Sequence, residues 1–253
     1  MKGEDEYRRL VERAEADEEV LGLVLTGSRG RGPFARDDSD WDVRLVVRDE
    51  KNTAGADRYG TPHGSPVEVV VLSLGDFQRI GVVGSETECD RYSYVHARVV
   101  VDKLDGRIAG LVTQKATLTR QEADAVARPA LGAYINCCFR STTNIARGRV
   151  LEGRLDAAES ISPFLTALFA LHGRVRPFNK FLLWELDAYP LGDPAWAAER
   201  LARELAAATE SGDLVVQQAL FRDLERLARS RGFGAAFDEW EPELGWLRGA
   251  TTA

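Results

Sequence analysis

Apolar residues change their spacing once along this chain. Up to about residue 115 they come in short runs or alternate, and from Leu118 onward they recur every three and four residues. The runs at 20–26 (VLGLVLT), 41–48 (WDVRLVVR), 66–73 (PVEVVVLS) and 94–102 (YVHARVVVD) predict four strands. Ahead of them, Tyr7, Leu10, Val11 and Ala14 mark one stripe of a charged helix over 4–19. The polar, turn-rich stretch 49–66 predicts a loop or loose hairpin between the second and third strands, and 75–90 a helix plus loop.

The second half reads differently. Leu131, Tyr134, Ile135, Cys138, Phe139, Thr142 and Ile145 define a long amphipathic helix within 119–149. Further helices are predicted over 155–172, 179–186, 194–210 and 213–230, the third opened by an Asp193 cap and Pro194. The tail, 233–249, reads as short helical pieces. The expected architecture is α+β: a mixed, twisted sheet with flanking helices over residues 1–115, then an all-helical bundle over 116–253.

Candidate chemistry gathers in LVLTGSRGRGPFARDDSDWDVRLVV (23–47). A buried strand runs into Gly27-Ser28, whose amides and hydroxyl suit a phosphate, and Arg29 and Arg31 add fork-shaped donors unless they are simply solvated. Asp40 and Asp42 flank Trp41 at the start of the next strand, and positions i and i+2 project from one face. Two carboxylates held together call for a cation, and Mg²⁺ takes one or two carboxylates plus phosphate oxygens. Glu68 is the one charge in an otherwise apolar strand; it serves as a third ligand or pairs outward with an arginine. Asp156 and Glu159 share a helix face at i,i+3: either Glu159 meets an acceptor, as base or as partner of a cationic group, or the two form a cap or ion pair. As a base, Glu159 needs partial burial.

Gly27-Ser28, the spaced Asp40-x-Asp42 and the later Glu68 resemble the nucleotidyltransferase superfamily that includes DNA polymerase β. The stretches DAAESI (156–161) and LFALHGRVRPFNKFLLWEL (168–186) are similar to the aminoglycoside-type members. The resemblance implies transfer of AMP from ATP, or of another nucleoside monophosphate, to a hydroxyl of a small molecule, with one or two Mg²⁺ ions at Asp40, Asp42 and Glu68. It places Gly27, Ser28 and Arg29 on the phosphates and sends Lys180 to the triphosphate, although a lysine at that point is otherwise an ordinary exposed one. Nucleotidylation of a protein or RNA partner, as in antitoxin-type members, and a non-catalytic nucleotide-binding module are the alternatives.

Charge narrows these. A net charge of −7 and pI near 5.2 disfavour a nucleic-acid partner and suit a cationic acceptor. The three cysteines, two of them adjacent, match neither a disulfide framework nor a zinc site. The charged N-terminus and the lack of a long apolar run predict a cytoplasmic protein with no membrane segment.

Overall fold

The computed structural model describes residues 3–48 and 53–249. The chain divides into two compact units, Met1–Thr117 and Leu118–Ala253. The first is built on a four-stranded sheet of order β3-β2-β1-β4, with β1 Val20–Leu25, β2 Trp41–Val47, β3 Val67–Ser73 and β4 Arg98–Asp102. β1 pairs antiparallel with β2 and β4, whereas β2 and β3 run parallel, so the sheet is mixed as expected.

Strand alternation sorts side chains to two faces. Leu23, Leu25, Val43, Leu45, Val69 and Val71 form one buried layer with Leu10 and Ala14 of α1 (Glu4–Ala16) and Tyr59 of α3 (Thr53–Tyr59). On the other face Val24 and Val46 pack with Phe77, Tyr94, Ile108 and Val112, which come from α4 (Leu74–Arg79), a 3-10 turn at Glu88–Tyr94 and α5 (Arg107–Ala116). At Gly22 a Cβ would lie 2.8 Å from the Ile108 side chain of α5, so a larger residue there would displace Ile108 or the helix.

Two expectations need correction. The 49–66 stretch is not a hairpin connection: it carries α3, and β3 returns parallel to β2, a reversal that needs a crossover. Residues 49–52 of that stretch lie outside the described residues. The fourth strand begins at Arg98, not at residue 94, because Tyr92 and Tyr94 turn inward as core residues of the preceding 3-10 turn and His96 has positive φ. Between β1 and β2 the chain is also less irregular than a loop. It makes a short helix α2 (Gly27–Gly30) and a 3-10 turn at Gly32–Phe34.

The second unit is helical throughout, as its spacing predicts. α6 (Arg120–Ala146) starts at a Thr119–Glu122 capping box. It turns back through residues 147–149 into α7 (Val150–Leu171), which starts earlier than expected and carries Pro163 inside it. α8 (Leu182–Ala188), α9 (Ala198–Glu210), α10 (Leu214–Ser230) and the short α11 (Ala235–Asp238) and α12 (Leu244–Leu247) complete it around a core that includes Tyr134, Phe164, Trp196, Phe221 and Phe237. No helix among the described residues is long and apolar enough to cross a membrane.

Candidate active site

Gly27, Ser28, Asp42 and Glu68 converge at the sheet end where β1 finishes and β2 and β3 begin. Thr26 fixes the exit from β1: its amide and hydroxyl both donate to the Asp42 carbonyl, at 2.8 and 3.1 Å. Gly27 follows with φ +62, a conformation that favours glycine. A Cβ at Gly27 would fall 1.8 Å from Asp42 Oδ2, so the carboxylate lies directly against the Gly27 backbone. Only glycine allows that approach. Asp42 and Glu68 are register partners across the parallel β2–β3 pair and so emerge on one face. Asp40, two residues earlier and exposed, lies near enough to favour the charged form of His63.

Glu68 has partners of its own in the turn before β3. It is hydrogen-bonded to His63 Nδ1 at 3.0 Å and accepts weakly from the Gly64 amide at 3.4 Å. The His63 hydrogen bond, opposed by burial and helped by the Gly64 amide, holds the Glu68 carboxyl below its ordinary pKa. The same bond and the Glu68 charge raise His63. Among the described residues no three His, Cys, Asp or Glu side chains are gathered as a metal-holding cluster. The donor chemistry of Asp40 and Asp42 still fits one hard cation, because Mg²⁺ needs only one or two carboxylates when phosphate oxygens supply the rest. Glu68 has one oxygen, Oε1, engaged by His63, and the other, Oε2, only in the long contact with the Gly64 amide.

The two arginines of the loop have structural partners. Arg29, expected on phosphate, is 6% exposed; its guanidinium donates to the Ser39 and Asp37 carbonyls at 2.9 and 3.3 Å and lies 4.4 Å from the centre of the Trp41 ring. Arg31 is 3% exposed and ties the Gly27 carbonyl to that of Tyr92, at 2.6 and 2.7 Å. Both brace the segment joining β1 to β2. Trp41, on the opposite face from Asp42, stacks on Tyr7 with ring centres 3.9 Å apart and anchors the start of β2.

Glu159 and Lys180 belong to the second unit. The partial burial expected of Glu159 is not found. Its side chain is 63% exposed and takes a 2.6 Å bond from Arg140, which also pairs with Asp156 at 2.7 Å, the ion-pair arrangement left open by the sequence. Lys180 is exposed, at the short 3-10 turn before α8, with its ammonium 4.7 Å from the Phe181 ring centre.

Sequence reasoning missed two neighbours of the acids. His63 lies in a turn with no regular spacing to Glu68, and the local path of the chain from residue 63 into β3 brings the two together. Arg44 shares the face of Asp42 on β2, is half-buried, and its charge helps hold Glu68 ionised. A charged residue at the second position after Asp42, on the same strand face, was the available signal for it.

No protein-family model and no curated protein matches the chain. Among solved structures it is similar to a nucleotidyltransferase-like protein from Exiguobacterium sibiricum, at 12% identity and a TM-score of 0.39 over 95% of this chain and 85% of that one. With a likeness so distant, function has to be argued from the residues themselves.

Proposed function

We propose that the first unit catalyses nucleotidyl transfer: AMP from ATP, or another nucleoside monophosphate from its triphosphate, to a hydroxyl of a small molecule. The observation that carries this reading is the contact of the Asp42 carboxylate with the Gly27 backbone, which joins a phosphate-receiving turn to an acidic strand start. The Gly27-Ser28 amides and the Ser28 hydroxyl receive the β- and γ-phosphates. Asp40 and Asp42 would hold Mg²⁺, which when bound supplies charge neutralisation for the triphosphate and the reacting oxygens. The acceptor oxygen forms a bond to the α-phosphorus, the bond from that phosphorus to the α,β-bridging oxygen breaks, and pyrophosphate leaves. The acceptor proton passes to Glu68 once its carboxylate has released His63. Rate enhancement comes mainly from alignment and charge stabilisation.

An aminoglycoside-type antibiotic is the acceptor we propose; the overall acidity of the chain favours a cationic molecule. The test incubates the protein with each α-labelled nucleoside triphosphate, Mg²⁺ and a panel of aminoglycosides and other polyols. A labelled acceptor plus pyrophosphate is expected. Release of neither product with any triphosphate would remove the reading, and label on protein or RNA instead would replace the acceptor.

A further inference from the structure

At the other strand ends of the same sheet lies a groove of about 580 Å³. Leu21, Leu74 and Leu104 give it an apolar floor, and Arg48, Arg79 and Arg107 stand around it. The arginines come from three separate elements: Arg48 follows β2, Arg79 ends α4 and Arg107 opens α5. No carboxylate is among the described lining residues. Two described acids nearby already have partners. Asp76 pairs with Arg79 at 2.7 Å, and Asp102 accepts from the Leu104 and Ala109 amides, each at 3.0 Å. Glu19 approaches Arg48 only to 4.0 Å, and the Arg107 side chain makes no ion pair among the described residues.

Among the described residues, then, Arg48 has one 4.0 Å contact with Glu19 and Arg107 has no ion pair, and both face one groove in a chain whose net charge is −7. Like charges gathered at one groove repel, and an anion between them relieves that. The guanidinium fork matches phosphate oxygens in particular. The volume falls within the range of small-molecule sites, and the leucines favour a ligand with an organic body over a bare ion.

We propose that this groove binds a small organic phosphate, with the phosphate on Arg48 and Arg107 and the body over the leucines. From Asp42 to Arg48 is six residues along β2, about 20 Å, so this site is separate from the candidate active site and does not depend on the transfer reading.

The test is amide NMR of the full chain titrated with AMP and, separately, with inorganic phosphate, in EDTA so that no metal recruits nucleotide to Asp40 and Asp42. AMP should saturably shift amides at 73–79 and 104–108, and phosphate should act more weakly on the same set. Arg48→Gln and Arg107→Gln, both at exposed positions, should keep the spectrum elsewhere and each weaken AMP by about 10-fold, the loss of one charge-assisted hydrogen bond. Asp42→Asn should leave the affinity unchanged. Shifts confined to 27–30, absence of saturation, no effect of either arginine variant, or a single-stranded oligonucleotide displacing AMP from these amides would each overturn the proposal.

Discussion

Gly27 and Asp42 are one device, because the backbone of the first leaves the space that the carboxylate of the second occupies. Gly27→Ala should therefore fail twice, by a collision at 1.8 Å and by strain at φ +62, costing about 1–3 kcal/mol of stability as well as activity. Asp42→Asn should lower transfer by at least ~100-fold while leaving thermal unfolding nearly unchanged, since it removes charge without removing packing. Kinetics and a melting curve on the two variants separate these outcomes; normal turnover in Asp42→Asn would remove the proposed metal site. His63 offers an independent check. It is the largest influence holding Glu68 ionised, so His63→Ala should raise the Glu68 pKa, read from a carbon-13 titration of the side-chain carboxyl.

At the scale of elements, the segment between β1 and β2 is shaped by buried cations. If Arg29 served phosphate, Arg29→Ala would raise KM for the nucleotide and spare the fold. Its bonds to Ser39 and Asp37 and its place on Trp41 predict the reverse emphasis: a stability loss of roughly 2–3 kcal/mol, visible in chemical denaturation. Lys115 plays the matching part near the end of α5. Its ammonium donates to the Gln78 and Ile80 carbonyls at 3.1 and 2.6 Å, and burial, with Arg91 nearby, pulls its pKa down to about 8. The unfolded chain keeps that proton up to about pH 10.5, so between the two values the unfolded state binds more protons and stability rises with pH. Hydrogen-exchange protection of the β1 and β2 amides should thus gain from pH 7.5 to 9, and Lys115→Met should abolish that gain.

For the whole molecule, each unit closes its own core. Among the described residues, the buried members of the two apolar layers around the sheet come from the first unit, from Leu10 to Val112, and those of the helical core run from Ala127 to Leu247. A chain of residues 1–117 should therefore unfold cooperatively by circular dichroism. Gradual, non-cooperative melting would show that its core depends on the rest.

Periodicity was enough to give the α+β class, the helical second half and the faces of β2, because burial imposes a period of two on a half-buried strand and 3.6 on a helix. It also brought Asp40 and Asp42 forward as an i,i+2 pair of carboxylates and Glu68 as the one charge in an otherwise apolar strand. The parallel return of β3, the core role of Tyr92 and Tyr94, the pairing of Glu68 with His63 and the burial of Arg29 and Arg31 were decided by the tertiary structure. Some of these span distant residues, as Arg31 reaching Tyr92 does, and others join near neighbours through an irregular turn, as His63 and Glu68 do; local propensity specifies neither. A charged side chain next to a glycine turn looks the same in sequence whether it faces a ligand or a backbone carbonyl. Only the packing around it, and the desolvation it must offset, distinguishes the two.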